Sequence, residues 1–174
     1  MLKCFSKTSV LFFSFILMLA GLLGCHPATI ILPPHIHTVG LAEVENQTSQ
    51  YGLEALFTQT VMRQFQTDGR FPLVSDNQSD LVVKLVIRKY EKDILLTNTA
   101  NNRPQQYRLS IQYDLTATDQ IDQRPLFEDK GRVRSVLFYT ADYPGAIVET
   151  EDQALTRLSE DLALSLVRRV IEGS

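Results

Sequence analysis

Tyr107-Arg108-Leu109-Ser110-Ile111-Gln112-Tyr113-Asp114-Leu115-Thr116-Ala117 alternates apolar and polar residues without a break. A period of two puts every apolar side chain on one face of a β-strand, and so long a run excludes an amphipathic helix. Upstream, Leu81 to about Tyr90 repeats the pattern. Leu81, Val83, Leu85 and Ile87 are expected on one face, with Val82, Lys84, Val86, Arg88 and Tyr90 on the other. Between the two stretches, Thr97-Asn98-Thr99-Ala100-Asn101-Asn102-Arg103-Pro104 reads as a long polar loop. Downstream, Asp119 to Arg124 is expected to turn the chain, and Phe127 to Val136 reads as a further strand.

Outward from this hairpin the period changes to that of a helix. From Gln50 to Thr67, Leu53, Leu56, Phe57, Val61 and Phe65 keep helical spacing, with Glu54 and Arg63 off the stripe. Asn46-Gln47-Thr48-Ser49 offers an N-cap, and Asp68-Gly69 a stop, with Gly69 suited to a left-handed C-terminal position. A second helix begins near Thr150, where Gln153 completes a capping box and Glu151 and Asp152 suit the positive helix end. Its stripe is Leu155, Leu158, Leu162, Leu166 and Val170, widened by Leu164, Val167 and Ile171. A first strand over about Ile36–Val44 and a short edge piece at Phe71-Pro72-Leu73-Val74 complete the elements. The order β-α-β-β-β-α predicts an α/β (α+β) two-layer sandwich, a mixed sheet of about four strands with two helices on one face.

The first residues do not belong to this domain. Val10 to Leu23 is apolar but for Ser14 and follows Lys3 and Lys7, too short for a membrane span and suited to a secretory leader. It ends Leu22-Leu23-Gly24-Cys25, which resembles the lipobox of bacterial lipoproteins, in which Cys25 is lipidated and becomes the first mature residue. Three acyl chains, at about 0.8 kcal/mol per buried methylene, anchor essentially permanently. His26 follows Cys25 where an Asp commonly retains such proteins at the inner membrane, so the outer membrane is expected. Residues 1–24 are thus a signal peptide, 25–34 a Pro-rich tether, and 35–174 a single periplasmic domain.

Lys3 and Lys7 leave with the leader, so the mature chain carries 15 Lys+Arg against 20 Asp+Glu, a net charge of −5. That total excludes general nucleic-acid binding. Cys4 lies in the leader, so Cys25 is the one mature cysteine, and neither a disulfide nor a catalytic thiol is available. Gly-x-Ser-x-Gly, a phosphate-cradling glycine loop and His-Glu-x-x-His are all missing from the sequence, and no enzyme activity is expected. His35 and His37 share a strand face and offer two nitrogens to a metal, but no cysteine and no evident third ligand joins them. We therefore assign no metal and no cofactor.

Several stretches together carry a family resemblance. They are Thr38-Val39-Gly40-Leu41-Ala42-Glu43-Val44-Glu45-Asn46-Gln47-Thr48, Tyr51-Gly52-Leu53-Glu54, Leu56-Phe57-Thr58, Arg70-Phe71, Leu73-Val74, Asp80-Leu81 and Ile87-Arg88-Lys89-Tyr90. Tyr143, Glu149, Glu151, Ala154-Leu155 and Leu158-Ser159-Glu160-Asp161-Leu162-Ala163 extend the pattern to the end. The chain resembles the LptE family of lipopolysaccharide-assembly lipoproteins over its whole mature length. The resemblance implies a small α/β sandwich that sits within the LptD outer-membrane β-barrel, plugs it and helps deliver lipopolysaccharide to the outer leaflet. It also implies lipopolysaccharide contacts from basic residues in the central hairpin loop and just before the last helix.

At those places this sequence offers Arg103 at the hairpin tip, Lys92 at its base, and Arg88 and Arg108 along its strands. Residues 136–148 contain no Lys or Arg, a departure from the family pattern. Lys84, Arg88 and Arg108 share the outward parity, and Lys130, Arg132 and Arg134 are expected to continue that row on the next strand. Such a row is either a solvated or barrel-facing surface, or a match to phosphates beside acyl chains. Two other readings stay open: an auxiliary periplasmic lipoprotein of an inner-membrane lipid-transport ABC system, and an enzyme-activating lipoprotein of cell-wall synthesis.

Overall fold

The alternating stretches pair into a long central hairpin, and the remaining elements assemble around it. In the computed structural model, which describes residues 32–140 and 143–172, the order is β1 (Val39–Leu41), β2 (Glu45–Asn46), α1 (Leu53–Asp68), β3 (Leu73–Val74), β4 (Leu81–Thr97), β5 (Pro104–Asp119), β6 (Arg124–Tyr139) and α2 (Glu151–Glu172). The expected leader, Cys25 and most of the tether lie outside the described residues.

The sheet is mixed and six-stranded, ordered β3-β1-β4-β5-β6, with β2 also on β4. The count exceeds four because Leu73–Val74 pairs with β1 at the edge, and because Glu45–Asn46, beyond the first strand expected over Ile36–Val44, forms a short strand of its own while that first strand is only Val39–Leu41. Both short strands run parallel to β4, and between and beyond them Ala42 N–H donates to Val83 O and Gln47 N–H to Ile87 O. The chain thus stays against β4 throughout. β4–β5 and β5–β6 are antiparallel.

One face of the sheet carries Leu81, Val83, Leu85, Ile87, Leu109, Ile111, Leu115 and Ala117 into a single core. The helices cover that face with Leu53, Phe57, Val61 and Phe65 from α1 and Leu155, Leu158, Leu162, Leu166 and Val170 from α2. Leu164, expected to widen the second stripe, is instead exposed. Between the helices, Thr60 and Ser159 are buried and share a hydrogen bond of 3.3 Å, so neither hydroxyl is left without a partner.

The capping box of α2 forms as expected: Thr150 N–H donates to Gln153 Oε1 at 2.8 Å, and Gln153 N–H to Thr150 Oγ1 at 3.3 Å. Gly69 ends α1 at φ 68°, its N–H bonded to Phe65 O. The start of α1 differs from expectation. Its N-cap is Gly52, with no side-chain cap, while Asn46 folds the preceding turn by accepting from Thr48 N–H and donating to Gln50 O and Glu54 Oε2.

Candidate functional site

β4 and β5 outrun the helices. The distal residues Ile94, Leu95 and Leu96 are 56%, 44% and 39% exposed, and the tip is a tight turn in which Asn98 N–H donates to Arg103 O. Neither strand face is buried there, so no alternation was available to show that β4 continues past Tyr90 to Thr97. Tyr107 stacks on Phe138 at 5.1 Å where the hairpin leaves the core. Beside it, Leu137, Tyr139, Tyr143 and Ile147 line an open cavity of about 550 Å³, with Ile147 84% exposed. Exposed apolar groups and polar strand faces therefore meet at one end of the molecule.

The four candidate cations do not converge there. Arg103 is exposed at the tip and has no ion-pair or side-chain hydrogen-bond partner among the described residues. Lys92 lies on the helix side, its Nζ 2.6 Å from Glu151 Oε2 and 5.7 Å from the Tyr107 ring centre. Arg88 is bound by Asp114 at 2.7 Å and by Gln47, and Arg108 meets Asp93 at 3.1 Å. Lys84, Lys89 and Lys130 are similarly paired with Glu45, Glu91 and Glu128. The outer sheet face is polar, but its cations Lys84, Arg88, Lys89, Arg108 and Lys130 each have a carboxylate beside them.

Two bulges correct the expected row of cations. Ile87 pairs with Tyr113 and Lys89 with Gln112, so Arg88 is an extra residue in β4. Parity flips there, and Tyr90 turns to the helix side, where its hydroxyl donates to Glu151 at 2.6 Å. Burial, and then that carboxylate, push the Tyr90 phenol up, while Lys92 and Tyr90 together hold the Glu151 carboxyl below its ordinary value.

In β6, Lys130 and Gly131 together face Asp114, and Gly131 N–H donates to its carboxylate at 2.8 Å. This amide, with Arg88, holds the Asp114 carboxyl low. Beyond the bulge Arg132 pairs with Tyr113 and Arg134 with Ile111, so both arginines leave the outer face for the helix side. The available signal was Gly131 itself, since a lone glycine inside a strand pattern marks a bulge.

Residues 136–148 supply no cation, but Arg157 reaches the same place from α2. It is fully engaged, donating to Glu149 at 3.2 and 2.6 Å and to Leu137 O at 2.8 Å. The two histidines part company: His35 Nε2 lies 2.7 Å from Asp119 Oδ2, whereas His37 uses its backbone N–H to donate to Asp80. Asp119 also accepts the amides of Ile121 and Asp122. Burial favours its protonated form, but the amides and the imidazole prevail and keep its carboxyl below the usual range. His35, Asp119 and Asp122 could between them offer ligand atoms within 4.8 Å of one another, but Asp119 is already spent on these three hydrogen bonds.

A family model described as lipopolysaccharide-assembly, LptE, matches residues 36–170. No curated protein matches. Among solved structures, a hypothetical protein of Chlamydia trachomatis superposes with TM-score 0.54 at 12% identity, covering 78% of this chain and 95% of that one. A protein from Xanthomonas campestris superposes with TM-score 0.51 at 13% identity, over 81% and 89% of the two chains. The PelC dodecamer of Paraburkholderia phytofirmans contains a chain similar at TM-score 0.51 and 5% identity, over 82% and 95%. These three likenesses are of fold.

Proposed function

The chain belongs to the LptE lipopolysaccharide-assembly family, and from that premise we propose a non-enzymatic outer-membrane lipoprotein, anchored through lipid on Cys25, that sits in the lumen of an LptD-type β-barrel. In that place it plugs the barrel and assists transfer of lipopolysaccharide to the outer leaflet. The observation that carries the reading is the hairpin overhanging the helices, with exposed Ile94, Leu95 and Leu96 below a tip bearing Arg103. Apolar groups next to an unpaired guanidinium suit a ligand that joins acyl chains to phosphates.

Affinity purification of the chain from outer membranes should recover a large β-barrel partner. Recovery without one, or co-sedimentation with an inner-membrane ATPase complex, would overturn the assignment. At the tip, Arg103→Glu should weaken lipopolysaccharide binding by about tenfold if the contact is desolvated, a charge-assisted hydrogen bond being worth about 1.5–3 kcal/mol. Its circular dichroism should match wild type, because Arg103 touches nothing in the core. Lys92→Glu is unsuitable beside it, since it would set two carboxylates together at the start of α2. Unchanged binding by Arg103→Glu would make the tip a solvated turn.

A further inference from the structure

The parity switch at Gly131 has assembled a second cluster of cations, away from the hairpin tip. Arg132 and Arg134 of β6 and Arg168 and Arg169 of α2 line one cavity of about 330 Å³, together with Asp129, Asp161, Leu164 and Ser165. Four guanidinium groups outnumber two carboxylates. Only one of the four is fully used by them: Arg169 Nε and Nη2 donate to Asp129 at 2.9 and 3.2 Å, and its guanidinium lies 4.3 Å from the Phe127 ring centre. Arg132 stands 3.9 Å from Asp129 and Arg134 3.8 Å from Asp161, both beyond hydrogen-bond range. Arg168 has no partner among the described residues.

We propose that this cavity between the edge strand and the last helix is a binding site for a phosphate monoester. Three guanidinium groups with unspent donors exceed what one carboxylate can engage, because a carboxylate fits a single fork. A phosphate carries about −1.5 to −2 charge at pH 7 and three acceptor oxygens, which can take forks from both walls of the cavity. Leu164, the one stripe residue of α2 that is exposed, forms an apolar wall beside the arginines. The phosphate has two possible sources, a lipid headgroup such as that of lipopolysaccharide or a soluble phosphate. The proposal does not depend on the barrel reading, since it rests on the arginines that line the cavity and on their distances to Asp129 and Asp161.

The test uses the full chain in detergent and two probes: inorganic phosphate, and lipopolysaccharide compared with its dephosphorylated form. Arg134→Ala combined with Arg168→Ala should weaken binding by at least about tenfold, while Lys89→Ala, a cation of the outer sheet face outside the cavity, leaves inorganic phosphate binding unchanged. Asp161→Asn should tighten binding, because it removes a competing carboxylate, and added salt should weaken it. Loss of inorganic phosphate alone identifies a soluble source, and loss of the phosphate-dependent part of lipopolysaccharide binding identifies the lipid. A folded double variant that binds both probes as wild type does overturns the site. Should the double variant misfold, Asp161→Asn carries the test, and unchanged phosphate affinity in it is the overturning result.

Discussion

Gly131 sits at φ 64° inside a strand, and its N–H is the first of the groups that hold the Asp114 carboxyl low. A side chain there would suffer the left-handed penalty of about 1–2 kcal/mol, and its Cβ would also come within 3.3 Å of Gln112 Nε2. We expect Gly131→Ala to lower Tm by several degrees, at roughly 2–4 °C per kcal/mol for a domain of this size, which thermal unfolding will read; an unchanged Tm would mean the bulge does not require glycine. Asp129 gives a pH signature of the same region. The hydrogen bonds from Arg169 hold its carboxyl below the ordinary value, so the pairing stabilises the fold above the unfolded carboxylate pKa and is lost as pH falls through the lower folded one. The stability lost between pH 5 and pH 2 should therefore be smaller in Asp129→Asn than in wild type, although the variant starts lower at pH 7. Parallel acid unfolding curves would exclude that role. These residues also show where reading a single strand stops. Arg108 faces outward as alternation says, because β5 alternates without an extra residue from Arg108 through the core residues Leu109 to Ala117, whereas one extra residue before Arg132 sends it and Arg134 to the opposite side.

Elements were legible where one face is buried and blurred where none is. The stripe of α2 and its capping box were both readable, since Leu155, Leu158, Leu162, Leu166 and Val170 all enter the core and Thr150 and Gln153 exchange their hydrogen bonds. The N-terminus of α1 was not, because Gly52 begins the helix through a left-handed backbone while the polar residues before it build a separate turn. The last turns of β4 carry no alternation to read, for lack of helices above them. The open edge of the sheet is β6. Its end is covered by Val148, which bridges Tyr139, and by Glu149, whose N–H donates to Tyr139 O at 3.0 Å. Along the rest, the Gly131 bulge and the charged Lys130, Arg132 and Arg134 discourage pairing with another strand. The cap of α2 lies next to Glu151, which ties Tyr90 and Lys92 to the helix start. Thr150→Ala should cost about 1 kcal/mol, as capping threonines commonly do, and hydrogen exchange should show the first turn of α2 and the Tyr90–Lys92 segment loosening together. Loosening of the helix turn alone would separate the two.

At the scale of the whole molecule, attachment and assembly rest on different parts of the chain. No described helix is long and apolar enough to cross a membrane. Among the described residues the buried core begins at Ile36, with Leu32 of the Pro-rich stretch packed against it. If Cys25 carries lipid, the tether confines the domain to the membrane surface, and any partner within its reach is met at a raised effective concentration without a new contact. Cys25→Ala should then abolish lipidation, and the full-length precursor should accumulate or be cleaved abnormally, as gel mobility and labelling with a fatty-acid analogue will show. Released protein should keep the wild-type Tm, because the buried core among the described residues begins at Ile36, well past Cys25, while recovery of the barrel partner from membranes falls. A Cys25→Ala chain that matures normally and stays membrane-bound would refute the lipobox reading. One that loses its lipid yet recovers the barrel undiminished would show that the domain's own surface, not the tether, supplies the affinity.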